Sequence, residues 1–115
     1  MQRAWRLRHQ DDFKRLREAG QSWRNPVLLL SCLPNALPHN RYGIIISKRQ
    51  GTAVVRNRLR RRLRELVRAL HPQLQQGYDV VVVARGNCAQ LDYWALRQAL
   101  LDLYHRAKLW SGETS

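Results

Sequence analysis

Residues 41–84 run RYGIIISKRQGTAVVRNRLRRRLRELVRALHPQLQQGYDVVVVA, and three consecutive elements are legible in them. Arg41 to Ser47 carries Ile44, Ile45 and Ile46, a β-branched cluster suited to a buried strand, and Asp79 to Ala84, centred on Val80 to Val83, is a second one. Between them the loop KRQGT leads into a helix that begins near Ala53 or Val54 and ends near Leu70, because the approach to Pro72 disfavours helical geometry. Two strands joined through a helical crossover run parallel if they share a sheet.

Upstream, Phe13, Leu16 and Ala19 recur at helical spacing before Gly20, which predicts a first helix from about Gln10 to Ala19. Asp11 and Asp12 in its first turn suit the positive end of the helix dipole, a structural role. Trp23 and the run Val27 to Leu33 read as strand material with an irregular start at Pro26 and a stop at Pro34, followed by the loop PNALPHN. Downstream, Asp92 is placed to cap an amphipathic helix through Leu96, Leu100, Leu103, Ala107 and Trp110. With no internal repeat or linker, residues 1–115 are expected to form one α+β domain, a two-layer sandwich of helices on a small sheet, with flexible ends at 1–8 and 111–115.

Twenty-one Lys and Arg against eight Asp and Glu give a formal charge of +13, which a compact body tolerates best beside a polyanion. Only Lys14, Lys48 and Lys108 are lysines, and the guanidinium fork of arginine suits phosphate and stacks on bases. No stretch approaches the roughly 20 apolar residues that span a bilayer, so a cytoplasmic protein without a membrane partner is expected. Cys32 and Cys88 lack CxxC spacing and read as reduced thiols. His9, His39, His71 and His105 are scattered and read as exposed or half-packed, and no catalytic triad, carboxylate pair or metal-ligand cluster is visible. The four tryptophans read as structural or peripheral to the partner.

Six arginines crowd into Arg56 to Arg64. At about 100° per residue, Val55, Leu59, Leu63, Leu66, Val67 and Leu70 form one stripe that docks on the sheet. Asn57, Arg60, Arg61, Arg64 and Arg68 occupy a neighbouring arc, with Arg58 and Arg62 further round beside Glu65. Like charges at i and i+4 each cost a few tenths of a kcal/mol. A solvated, mutually neutralised face is the ordinary reading of a charged helix, but Glu65 is the only carboxylate in this run, so nucleic-acid binding is the stronger one.

The string from Gly43 through KRQGTAVVRNRLRRRLRE resembles the signature of the bacterial ribonuclease P protein: a strand ending in Ser-Lys-Lys/Arg, a glycine loop, then an Arg-Asn-Arg core followed by further basic positions. The segments DDFKRLREAG and YDVVVVAR are similar to that family's first helix and last strand, so the resemblance covers nearly the whole chain. It implies the order α-β-β-β-α-β-α, a mixed sheet with a left-handed βαβ crossover, and a ribosomal-protein-like domain fold. It also implies a protein component of an endoribonuclease, in which an RNA subunit performs the hydrolysis with bound Mg²⁺ and this chain holds no cofactor of its own.

The implied partners are the ribonuclease P RNA and precursor tRNA, whose 5′ leader is removed, and no small-molecule substrate is implied. By residue, the resemblance implies contact with the catalytic RNA at Lys48, Arg49, Arg56, Asn57, Arg58 and Arg61, and with the leader at Phe13, Arg60 and Arg64. Arg62 is an extra charge where other members often carry an apolar residue. Arg17 and Ser31 stand where aromatics can occur, which makes leader contacts more ionic and less stacked. Phe13 has two open readings, stacking on leader bases or packing in the core. The rival to this assignment is a ribosomal or assembly protein that binds RNA without enzymatic purpose, and a DNA-binding module ranks last.

Overall fold

The computed structural model describes residues 5–112. Its elements are α1 (Gln10–Ala19), β1 (Gln21–Arg24), β2 (Leu28–Pro34), β3 (Arg41–Ile45), α2 (Ala53–Leu70), β4 (Tyr78–Ala84) and α3 (Tyr93–Arg106), in the order α-β-β-β-α-β-α. They build one mixed sheet, β1-β2-β4-β3, in which β2 is antiparallel to β1 and β4, and β3 is parallel to β4. The parallel pair follows from α2, which returns the chain from the end of β3 to the start of β4.

The central strand β4 is buried on both faces, which explains its unbroken valine run. Val80, Val82 and Ala84 join Leu28, Leu30, Leu59, Leu63, Leu66, Leu96 and Leu100 in the main core beneath α2 and α3. Val81 turns the other way, toward Leu7 and Leu16 under α1. The helix starts are fixed by side-chain caps: Thr52 Oγ1 accepts from Val55 N at 3.3 Å and Asp92 Oδ1 from Ala95 N at 2.8 Å. Each cap contributes about 1 kcal/mol.

Several expectations need correction. α3 stops at Arg106, short of Trp110, because Lys108 takes a left-handed φ of 59° and redirects the chain. Trp110 then bridges to Leu74, and Ser111 N donates to Gln73 O at 2.7 Å, which ties Ser111 back to the turn after α2. The expected flexible segment 1–8 is likewise docked over 5–8: Leu7 is buried, its N donates to Tyr42 O at 2.8 Å, and Arg6 bridges to Tyr42 as a parallel extension of the sheet edge. The remainder of both predicted flexible ends, 1–4 and 113–115, lies outside the described residues. His71 is buried, stacked on Trp5 with ring centroids 3.8 Å apart and bonded through Nδ1 to Tyr42 Oη at 2.8 Å. Burial, and then the nearby His39, push its pKa below the usual histidine value.

The principal buried ionic contact ties α1 to the sheet. Register places Arg41 opposite Asp79, and Arg41 binds that carboxylate through Nε at 2.8 Å and Nη2 at 2.7 Å. Arg15 reaches Asp79 from α1 at 2.8 Å, and Asn35 donates to it at 3.0 Å. Asp12 adds a weaker partner to both arginines at 3.6 and 3.5 Å. Burial alone pushes the Asp79 carboxyl up, but the bonds from Arg41 and Asn35 and the charges of Arg41 and Arg15 outweigh it and hold it below the usual carboxylate value. Because the folded pKa is depressed, this stabilisation is complete above the unfolded value of about 3.9 and is lost as pH falls below it. Asp79→Asn, which keeps the shape but leaves two cations facing a neutral amide, is expected to lower stability at pH 7 by about 3 kcal/mol in urea denaturation. The variant's acid unfolding between about pH 4 and pH 2 should also be shallower than that of the parent.

Candidate nucleic-acid interface

The loop before α2 is shaped by one residue. Gly51 adopts φ 134°, a region that residues with a Cβ rarely enter, and a Cβ there would also press on the Val55 side chain at 3.0 Å. This sharp turn leaves Lys48 and Arg49 exposed in a single 3-10 turn, Lys48–Gln50, immediately ahead of the helix. Arg56 folds back so that its Nε donates to Gly51 O at 3.2 Å, which ties the first arginine to the loop.

Along α2, Leu59, Leu63, Leu66, Val67 and Leu70 are buried as the apolar stripe requires, whereas Val55 is only partly covered. Asn57, Arg58, Arg61, Arg64 and Arg68 are exposed. Asn57 Oδ1 accepts from Arg60 Nη1 at 3.2 Å, so the amide orients a guanidinium instead of meeting solvent alone. Among the described residues, none of the ion pairs reaches any arginine of α2. Arg62 links two helical elements: its Nη1 donates to Leu91 O at 2.8 Å and fastens the start of α3 against the middle of α2.

Phe13, Arg60 and Arg64, distant in sequence, converge on one cleft of about 190 Å³ beside β3. Its floor is Tyr42, Gly43 and Ile44, and its remaining wall is Arg6, Leu7 and Arg8. The cleft is strongly cationic: burial, and then the charges of Arg6 and Arg60, depress the Arg64 pKa below the usual arginine value. Such a cluster is relieved by an anion bound among the guanidinium groups. Arg6 and Arg8 were not anticipated, although the alternation Arg6-Leu7-Arg8 around a buried leucine is the pattern of a short edge strand.

Phe13 performs two jobs at once. Its Cε1–Cζ edge points at Gly43 so closely that a Cβ on that residue would sit 2.6 Å from Cε1, and the ring packs against the cluster of Leu7, Leu16 and Val81. The same ring lines both the cationic cleft and an apolar groove of about 220 Å³ on the α1 face of the sheet. That second groove brings together Arg17 and Ser31, with Leu29, Ile45 and Val83 around them. Lys48, Arg49 and Arg56 lie apart from both hollows, near the start of α2.

Cys32 and Cys88 are buried free thiols whose pKa burial raises to about 11, which removes them from nucleophilic chemistry. No group of three or more His, Cys, Asp or Glu side chains is poised for a metal ion among the described residues. No helix among them is long and apolar enough to cross a membrane.

A basic helix flanked by a cationic cleft defines an RNA-binding module of small α+β type, and comparison with known proteins fixes its family. Residues 1–108 match the family model for ribonuclease P. The ribonuclease P protein component of Roseiflexus castenholzii is 41% identical over 116 residues, covering 100% of this chain and 95% of that protein. The corresponding protein of Herpetosiphon aurantiacus is 40% identical over 110 residues, covering 96% and 89%.

Among solved structures, the Staphylococcus aureus RNase P protein superimposes with a TM-score of 0.86 at 28% identity, covering 94% of this chain and 99% of that one. The Thermotoga maritima RNase P protein superimposes with a TM-score of 0.81 at 31% identity, covering 88% and 96%. The chain belongs to the ribonuclease P protein family, and its role is that of the protein subunit in that ribonucleoprotein. Nothing in these comparisons favours a ribosomal protein.

Gly43→Ala is expected to destabilise the fold by about 1 to 3 kcal/mol in urea denaturation, because the new methyl group displaces the Phe13 ring. Combining it with Phe13→Leu should cost less than the sum of the two single changes, a coupling of about 0.5 kcal/mol or more. Strict additivity would contradict the ring-on-glycine contact.

Proposed function

We propose that the chain holds the 5′ leader of precursor tRNA in the cleft of Phe13, Arg60 and Arg64 while the start of α2 grips the ribonuclease P RNA. In this reading Lys48, Arg49, Arg56, Asn57, Arg58 and Arg61 contact the catalytic RNA. The observation that carries it is the arginine run of α2, which no carboxylate neutralises among the described residues. Arg64 lies among like charges at the cleft, an arrangement suited to a phosphate chain.

Phosphodiester hydrolysis is assigned to the RNA, with Mg²⁺ held there. The donor set of this chain does not suit a divalent cation: its exposed functional surface is guanidinium, and the buried Asp79 is already paired with Arg15 and Arg41. The protein's contribution is electrostatic. Guanidinium groups between two polyanions lower their mutual repulsion, displace counterions and so strengthen substrate binding. Phe13 lines the cleft while its edge stays seated on Gly43, which leaves the π-face as the surface on which an unstacked base can rest, and Arg17 and Ser31 make the adjoining groove less aromatic. Maturation of tRNA places this activity in the cytoplasm.

Changing Arg60 and Arg64 together to Ala should weaken the reconstituted complex's affinity for precursor tRNA more than for mature tRNA. The log–log salt dependence for the precursor should flatten by about one unit for each lost phosphate contact. An equal loss for both RNAs would place these arginines away from the leader.

A further inference from the structure

We propose that Trp94 is a stacking platform for an unpaired base of the ribonuclease P RNA, forming a second contact on the α3 side of α2. The proposal rests on the reading that α2 binds the catalytic RNA. Its starting observation is exposure: Trp94 is 68% exposed, whereas Trp5, Trp23 and Trp110 are each partly covered. Val54 is exposed to the same degree, but an indole differs in offering a broad, flat π surface to a partner.

The ring is held in place. Tyr93 meets Trp94 edge to face, with centroids 5.1 Å apart and planes at 89°, and Tyr93 itself packs against the main core. The Asp92 cap fixes the turn of helix that carries both rings. A platform oriented before binding loses little conformational freedom when a base settles on it.

Its surroundings connect it to α2. Arg62 Nη1 is bonded to Leu91 O at 2.8 Å, and three residues of chain span at most about 10 Å, so the first turn of α3, which carries Trp94, starts beside the middle of α2. Arg58 stands one turn before Arg62 on that flank, and Arg97 stands one turn after Trp94 on α3. Against these three cations are Glu65, Asp92, engaged as the cap, and Asp102, which shares a hollow with Arg97 but is paired with Arg106. The balance is positive, and docking an apolar protein here would strip water from guanidinium groups without pairing them. A stacked nucleotide covers the indole and leaves its phosphates within reach of the arginines.

The geometry also selects which RNA. Arg60 and Arg64 line the leader cleft, together with Arg6 and Phe13. Arg62 is two positions from each, about 200° round the helix, so Trp94 is separated from the cleft by the body of α2. A leader seated against Phe13 does not reach it, and the catalytic RNA gripping the outer face of α2 does.

The test titrates the full-length protein and its Trp94→Ala, Trp94→Phe, Arg58→Ala and Arg61→Ala variants into a labelled bacterial ribonuclease P RNA transcript. Trp94→Ala should weaken binding about tenfold and Trp94→Phe by no more than about threefold, with thermal unfolding unchanged in both. If Arg58→Ala and Arg61→Ala weaken binding while Trp94→Ala does not, the platform is refuted and the broader reading of α2 survives. If none of the variants weakens binding, the reading of α2 fails as well. A Trp94→Ala loss confined to precursor tRNA binding by the protein alone would transfer the residue to the substrate and overturn the proposal. Concentration-dependent sedimentation that Trp94→Ala abolishes, at unchanged RNA affinity, would instead identify a second copy of the chain as the occupant and overturn it.

Discussion

Repulsion along α2 is the constraint around which this protein is organised. Its sequence satisfies the core with leucine and valine on one stripe and then loads the rest of the helix with arginine, and the fold supplies no carboxylate to offset it among the described residues. The helix therefore stands by its packing, with Leu59, Leu63 and Leu66 locked beneath α2 in a core shared with α3. It is completed electrostatically only when an anion arrives. Affinity for RNA is in this sense the other side of the same unfavourable term.

The acidic residues show that this imbalance is spatial. Asp79 and Asp12 are engaged by Arg15 and Arg41 under α1, Glu18 pairs with Lys14, Asp102 pairs with Arg106, and Asp92 caps α3. Arginine thus has two separate employments. Beneath α1 it is neutralised and joins helix to sheet. On α2 and along the cleft it is left uncompensated, except that Arg62 is turned inward to hold the start of α3. The covering of one sheet face by α2 and α3 and the partial covering of the other by α1 leave the hollows that Phe13 divides.

Much of this was legible in the sequence wherever a period repeats. The limits of α2, its apolar stripe and the Asp92 cap follow from spacing because eighteen residues of helix give the pattern room to declare itself. The meeting of Phe13 with Arg60 and Arg64 was not legible from spacing, since it depends on how three elements stack, and only the family resemblance implied it. Register was hidden too: nothing in the string says that Arg41 lies opposite Asp79. The segment around Leu7 is too short for periodicity to separate from a loose end, and the turn at Lys108 rests on a left-handed residue that no propensity marks in a lysine. His71 is buried because Trp5 comes back to stack on it, a contact between distant parts of the chain.

The most direct test of the account is the salt dependence of binding between the intact protein and a ribonuclease P RNA transcript. If the uncompensated guanidinium face of α2 anchors the RNA, log affinity should fall steeply and linearly with log salt, with a slope corresponding to about five or more displaced counterions, and neutral replacements along Arg56, Arg58 and Arg61 should reduce that slope stepwise. A slope near zero, or one untouched by those replacements, would contradict it.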